Sequence, residues 1–300
     1  MSHLLPVAAG MSPETLRGHT LKIGERLRAA SAVNQVAVVP RSITVTTDST
    51  FIRSHDDRER HLEVRVGNVE TGEGGRQVFG AVLRLASERG LDVDLHVDES
   101  GDPAATALAH VAAAVLRNRF RGRVVCGHCC SLAVQPEEQI RRTLDLCAEA
   151  GIAIVTLPTV NLYLQDRSDG RTPRWRGVAP VHEMRHRGIP VAIAGDNCRD
   201  PFHAYGDHDM VDTFRQAVRI LHLDHPFGDA AAMVGPVPQA IIRAGLLGTI
   251  VKGGAARLIL FNARTLNELM CRPQSDRLVI DRGRQVSAEL PDYCELDGVG

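Results

Sequence analysis

The sequence predicts an α/β fold built on parallel strands, and three observations carry that expectation. From Gly75 onward, apolar segments with strand character alternate with helical segments. The strand-like segments recur at roughly 30 to 40 residues, the period of strand–helix–strand units with right-handed crossovers. Three of them, LDVDLHVDE, RVVCGHCC and IPVAIAGDN, end in residues able to do chemistry: His96, Asp98 and Glu99; His128; and Asp196. Parallel barrels and sheets carry their catalytic groups at the carboxyl ends of the strands, so these tips are expected to share one face.

Taken in order, residues 1–12 read as irregular. Ser12 as N-cap and Pro13 at the first helical position then start a helix to about Ala32. VNQVAVV and SITVTT have β character, with Pro40 and Arg41 between them, while residues 51–73 are charged, short of apolar runs and left unplaced. The regular part reads as a helix near 75–90, a strand to Val97, a helix over 103–119, a strand to His128, a helix over 136–150 and the strand GIAIVTLP. A long loop, NLYLQDRSDGRTPRWRGV, precedes a helix over 180–187, the strand IPVAIAG and a helix over 207–221. The strands read as apolar throughout, as expected where both faces are covered.

Four consecutive parallel strands are thus legible, and the residues before Gly75 hold candidates for two or three more. A closed barrel takes about eight. The expected architecture is therefore a (β/α)8 TIM-type barrel, incomplete in its N-terminal half. GTIVKGGAARLILF and SDRLVIDRGRQV read as hairpin-like pieces of a small C-terminal β-appendage. The expected division is a barrel domain over 1–247 and an appendage with its tail over 248–300.

Bulk properties narrow the function. The 300 residues carry a formal net charge of −1, which provides no global field for nucleic acid or an anionic membrane and points to a small-molecule partner. There is no apolar span of about 18 residues and no basic-then-apolar leader pattern, so a soluble cytoplasmic protein is expected. Seven cysteines, three of them crowded at Cys126, Cys129 and Cys130, do not form a disulfide framework.

At the first tip, strand alternation puts His96 and Asp98 on one face, with Glu99 where the strand turns into a loop. Imidazole is a good ligand for first-row metals. A carboxylate beside a metal-activated water can carry that water's proton to a leaving group. The plainer reading is a surface loop, DESGDP, following a strand. Cys126-Gly127-His128-Cys129 also resembles the redox motif of disulfide isomerases, but that chemistry needs the first cysteine at a helix N-terminus, and here Cys126 falls within the apolar strand. A structural zinc site lacks a second Cys/His pair at suitable spacing. Asp196 is open to three roles: metal ligand, base, or N-cap of the next helix. His182 and His186 stand four apart on a helix and read as exposed; His222 and His225 flank a helix end and read as structural.

Taken together, HVDES, CGHCCSL, LPTVNLYLQDR, GRTPRWRGVAPVHEMRHRGIPVAIAGDNCRDPFHAYGDHDM and VRILHLDHP resemble the cytosine deaminase branch of the amidohydrolase superfamily over residues 75–290. That resemblance implies a distorted (β/α)8 barrel and hydrolytic deamination of cytosine or a related amino-substituted heterocycle, with one divalent metal ion, Fe or Zn. Carried over by residue, it implies His96 and Asp196 as metal ligands and Glu99 as the proton shuttle. His128 is implied as the histidine that contacts the activated water, and Asn197, Phe202 and Gln165 as substrate-binding residues.

The family's first strand carries a His-x-His pair of metal ligands, and no His-x-His occurs in this sequence. Arg257, in GGAARLILF, stands where the family commonly has Asp. A catalytic mononuclear site normally takes three or more protein ligands. The second reading is therefore a catalytically impaired relative that serves as a binding or interaction scaffold. An incomplete barrel would also expose apolar faces, which favours a homo-oligomer.

Overall fold

Short runs of Val, Ile and Leu form a six-stranded, wholly parallel sheet in the computed structural model, which describes residues 42–46, 61–65, 73–224, 226–243, 249–273, 276–286 and 294. The strands are β1 (Ser42–Thr46), β2 (His61–Arg65), β3 (Asp92–Val97), β4 (Val124–His128), β5 (Ala153–Thr156) and β6 (Val191–Ile193), in the order β2-β1-β3-β4-β5-β6. Among the described residues β2 and β6 each pair on one side only. The expected helix over 12–32 and the strand VNQVAVV lie outside the described residues.

The crossovers from β3 onward are helical, as parallel neighbours require. α1 (Glu73–Arg89) leads into β3, α2 (Ala107–Asn118) joins β3 to β4, and α3 (Glu137–Glu149) joins β4 to β5. α4 (Pro158–Leu164) and α5 (Val181–His186) lie between β5 and β6, and α6 (Met210–Leu221) and α7 (Pro236–Ile242) follow β6. The core lies between sheet and helices: Val93, Leu95 and Val97 of β3 and Ile154 of β5 pack with Leu108, Val111, Leu144 and Met184, all at most 1% exposed.

Three expectations change. The unplaced stretch 51–73 contains β2, whose sequence HLEVR has only Leu62 and Val64 as apolar positions, too few to register as a strand. NLYL, read as loop, is the body of α4; with Pro158 at its start and Gln165 already extended at its end, the helix is too short to display a 3.6-residue period. The strands are not uniformly apolar either. β6 is buried at all three positions, but β3 alternates, with Val93, Leu95 and Val97 buried and Asp92, Asp94 and His96 half-buried.

The sheet's register sets the height of the tips. Leu95 lies beside Cys126, His96 beside Gly127 and Val97 beside His128. At the opposite end Arg123 ties β4 to β3: its guanidinium reaches Asp92 Oδ2 at 2.6 and 3.0 Å, and its backbone N–H donates to Asp92 Oδ1 at 2.8 Å. Burial alone would raise the Asp92 carboxyl, but these bonds outweigh it and hold the group below its ordinary value.

The parallel sheet belongs to a compact unit spanning residues 39–249. A second unit includes residues 250–300 and contains β7 (Leu258–Leu260), α8 (Leu266–Cys271), β8 (Leu278–Asp281) and β9 (Arg284–Val286). Its three strands pair antiparallel in the order β7-β8-β9. Arg257 faces Asp281 at 2.9 Å within that unit.

Candidate active site

Each of the three strand tips leaves the sheet through a non-glycine residue in the left-handed region: Asp98 at φ 55°, His128 at φ 68° and Asp196 at φ 67°. Such a conformation costs on the order of 1–3 kcal/mol at a non-glycine residue and persists where the surroundings impose it, commonly at functional sites. At Asp98 the turn breaks the expected alternation. Its carboxylate accepts from the N–H groups of Ala107 and Leu108, both at 2.8 Å, and so caps α2 from outside the helix. Asp98 is therefore an anchor for the β3–α2 loop. The turn delivers the next residue, Glu99, to the side where His128 lies.

His128 is the centre of the arrangement and is 1% exposed. Its Nε2 is 3.3 Å from His96 Nδ1 and 3.9 Å from Asp196 Oδ2. Its Nδ1 is 3.2 Å from Glu99 Oε1 and 3.0 Å from Asn161 Nδ2. Burial, reinforced by His96 and opposed by the Asn161 hydrogen bond, pushes the imidazole down to about 3, so it is neutral near pH 7. The contact with Glu99 is thus made by a neutral ring. Asp196 is shifted the other way: burial raises its carboxyl, His96 lowers it, Asp200 raises it and His203 lowers it.

Four residues proposed from sequence, His96, Glu99, His128 and Asp196, therefore meet at one place. Gln165 lies next to them, its Nε2 donating to the Glu99 carbonyl at 3.5 Å. Asn197 directs its amide to Asp200 Oδ2 at 2.6 Å, and Phe202 is half-buried with its N–H on Asp200 Oδ1 at 3.0 Å. Asp200 also accepts from the His203 N–H at 2.9 Å, and so folds the loop after β6. The cap of α6 is Asp209, whose carboxylate accepts from Val211 and Asp212, so Asp196 is not a helix cap.

Sequence reasoning missed Asn161, Asp200 and His203. Asn161 lies in the segment read as loop and carries no pattern of its own. Asp200-Pro201 is an ordinary turn signal. His203, 8% exposed and stacked on Tyr163 with ring centroids 4.9 Å apart, stands in no spacing typical of a site.

Cys126, Cys129 and Cys130 are each 0% exposed, and burial raises all three thiols far above their ordinary range. A buried thiol held protonated is a poor nucleophile and a poor redox group. His182 pairs with the Leu221 carbonyl at 2.8 Å and His222 with the Arg176 guanidinium at 2.8 Å, both structural roles; His225 lies outside the described residues.

An imidazole at the end of β3 and a carboxylate after β6, beside a buried neutral histidine and a glutamate, form a hydrolase-type constellation on an α/β scaffold. The chain belongs to the amidohydrolase family, whose profile matches residues 15–287. Among its relatives, a pterin deaminase from Rhizobium rhizogenes is 55% identical over 218 residues, covering 73% of this chain and 50% of that protein. An N-isopropylammelide isopropyl amidohydrolase from a Pseudomonas species is 27% identical over 195 residues, covering 64% of this chain and 44% of that one. The chain thus spans about half the length of these curated relatives. A solved 5-methylcytosine deaminase from Klebsiella pneumoniae, liganded with 5-fluorocytosine, shares the fold, with TM-score 0.63 and 22% identity over 76% of this chain and 56% of that one.

The family typically uses a divalent metal ion. His96 and Asp196 have the right donor chemistry, and both face His128 Nε2 within 3.9 Å. Among the described residues, however, no group of three or more His, Cys, Asp or Glu side chains is placed to hold a metal. The described residues thus fit part of a metal site and do not complete one. Among them, no helix is long and apolar enough to cross a membrane.

Proposed function

We propose that this chain acts as a hydrolytic deaminase of an amino-substituted heterocycle, cytosine or a related ring, on a parallel sheet that forms part of a (β/α)8 barrel. The observation that carries the proposal is the convergence of His96, Glu99, His128 and Asp196 on one buried imidazole. The 55% identity to a pterin deaminase supports the reaction class and widens the substrate beyond cytosine. Cytosine and pterin share the feature that matters: an exocyclic amino group on a carbon bonded to a ring nitrogen.

In this reading His96 and Asp196 would contribute ligands to a divalent ion, Fe or Zn, and such an ion would make a bound water acidic enough to act as a nucleophile at neutral pH. Glu99 takes the water's proton and passes it to the ring nitrogen as oxygen adds to the amino-bearing carbon. Return of a proton to the amino group lets ammonia leave and forms the ring carbonyl. His128, neutral and buried, orients the attacking oxygen from the side of His96 and Asp196. Asn197, Phe202 and Gln165 line the substrate. The partner is this small ring, the setting is cytoplasmic, and the sheet edges at β2 and β6 suit self-association.

A second reading is favoured by a specific observation: no His-x-His in the sequence and no three-ligand group among the described residues. It is a family member without turnover that serves as a scaffold. Incubating the purified chain, supplemented with Fe(II) or Zn(II), with pterin, cytosine and an aminotriazine and measuring released ammonia separates the two. Ammonia matched by the corresponding oxo product is expected; none from any ring supports the scaffold.

A further inference from the structure

In the segment DRSDGRTPRWRG, residues 166–177, Arg174 and Arg176 are exposed, while Trp175 between them, the chain's single tryptophan, is half-buried. The segment is fastened on both sides of that ring. Asp166, in the left-handed region at φ 56°, accepts from the Arg171 guanidinium and from the backbone N–H groups of Arg174 and Trp175. Arg176 donates to the Ile220 carbonyl at 2.6 Å and lies 2.8 Å from His222 Nε2, at the C-terminal end of α6. What Trp175 covers is the loop that carries Glu99. A Cβ built on Gly101 would lie 3.0, 3.5 and 3.6 Å from Trp175 Cζ2, Cε2 and Nε1, so the indole fills the place where any other residue would put its side chain. From the start of the segment, Gln165 Nε2 reaches the Glu99 carbonyl at 3.5 Å. Gly177, at φ 70°, leaves room for that reach: a Cβ there would overlap the Gln165 side chain and come within 2.9 Å of the Asn161 carbonyl oxygen.

The β3–α2 loop is pinned at its base by Asp98 and by the Ala105 carbonyl, which accepts from Ser131 Oγ at 2.8 Å and Gln135 Nε2 at 2.7 Å. Within its outer part the bonds are local turns, from the Asp102 N–H to Ser100 Oγ at 3.0 Å and from the Ala104 N–H to Asp102 Oδ1 at 2.8 Å. Gln165 and Trp175 bring a second segment onto that outer part. We infer that Trp175 is a positioning residue: residues 165–177 strap the β3–α2 loop, with Trp175 on Gly101 and Gln165 on the Glu99 backbone, and so fix where Glu99 stands beside His128. A displacement of about 1 Å at a reacting group can cost about 100-fold in rate, so a contact two residues away in the chain is felt in the chemistry. The strap stands on contacts alone; that Glu99 moves a proton rests on the deaminase reading.

The test uses the full chain and two readouts. In hydrogen exchange followed by mass spectrometry, Trp175→Ala is expected to speed exchange over residues 98–108 about 10-fold, while α3 exchanges as in the wild type. In an ammonia assay with pterin, the same variant is expected to lose about 10- to 100-fold in kcat with KM changed less than about threefold. Trp175→Phe, which keeps a flat ring against Gly101, should recover most of both losses. A folded Trp175→Ala that exchanges like the wild type over 98–108 overturns the inference, as does one whose kcat is undiminished. If Trp175→Ala does not fold, Gly101→Ala decides in a chain labelled with 5-fluorotryptophan: the single fluorine signal is expected to move, and an unmoved signal overturns the inference. A wild-type chain that releases no ammonia counts against the deaminase reading, and the exchange measurement, which needs no turnover, then decides the strap by itself.

Discussion

Glu99→Gln is expected to reduce ammonia release at least about 100-fold while leaving the fold and the metal content as they are. The isosteric amide keeps the volume beside His128 but can neither take nor return a proton. Glu99 Oε1 lies 3.2 Å from His128 Nδ1 and 3.3 Å from Asn161 Nδ2, so the side chain is already held beside the buried imidazole and, on the proposed mechanism, the loss is chemical. The effect should fall on kcat, since a proton moved during bond making matters more in the transition state than in binding. A variant retaining more than a tenth of the wild-type rate would assign the proton to another group. The measurement is a coupled ammonia assay beside a circular-dichroism melt.

The second large effect concerns stability. Asp98→Ala removes a carboxylate that accepts from two backbone N–H groups at the start of α2 and is 7% exposed. Each buried donor left without a partner costs on the order of 1–3 kcal/mol, and helix caps lost to alanine about 1 kcal/mol. A total loss of roughly 2–4 kcal/mol is expected, lowering Tm by about 5–15 °C in a unit of this size. Asp98→Asn retains one acceptor oxygen and should recover part of the loss. If Asp98→Ala melts with the wild type, the β3–α2 loop is held by other contacts and Asp98 is not its anchor. Activity should fall with it, because Glu99 is the next residue in the chain.

These two neighbours show where the sequence was legible. The apolar runs of β3, β4, β5 and β6 are self-evident in the sequence, and their polar ends point to His96, Glu99, His128 and Asp196. Alternation failed one residue later, at Asp98, because a left-handed turn depends on contacts made nine and ten residues further along the chain. Asn161 was invisible for a related reason: a seven-residue helix leaves no periodic trace, and a lone carboxamide gains meaning only when His128 and Glu99 are found beside it. β2 escaped because two apolar residues in five do not make a pattern. What sequence reads well is what repeats; what it misses is made by single contacts across the fold.

Metal content tests the deaminase activity most directly. Elemental analysis of the chain purified after growth with added iron or zinc is expected to find close to one ion of Fe or Zn per chain, reduced by His96→Ala or Asp196→Ala and retained in Glu99→Gln. An empty site under those conditions, with a Tm indifferent to chelator, would contradict the deaminase reading and leave the scaffold.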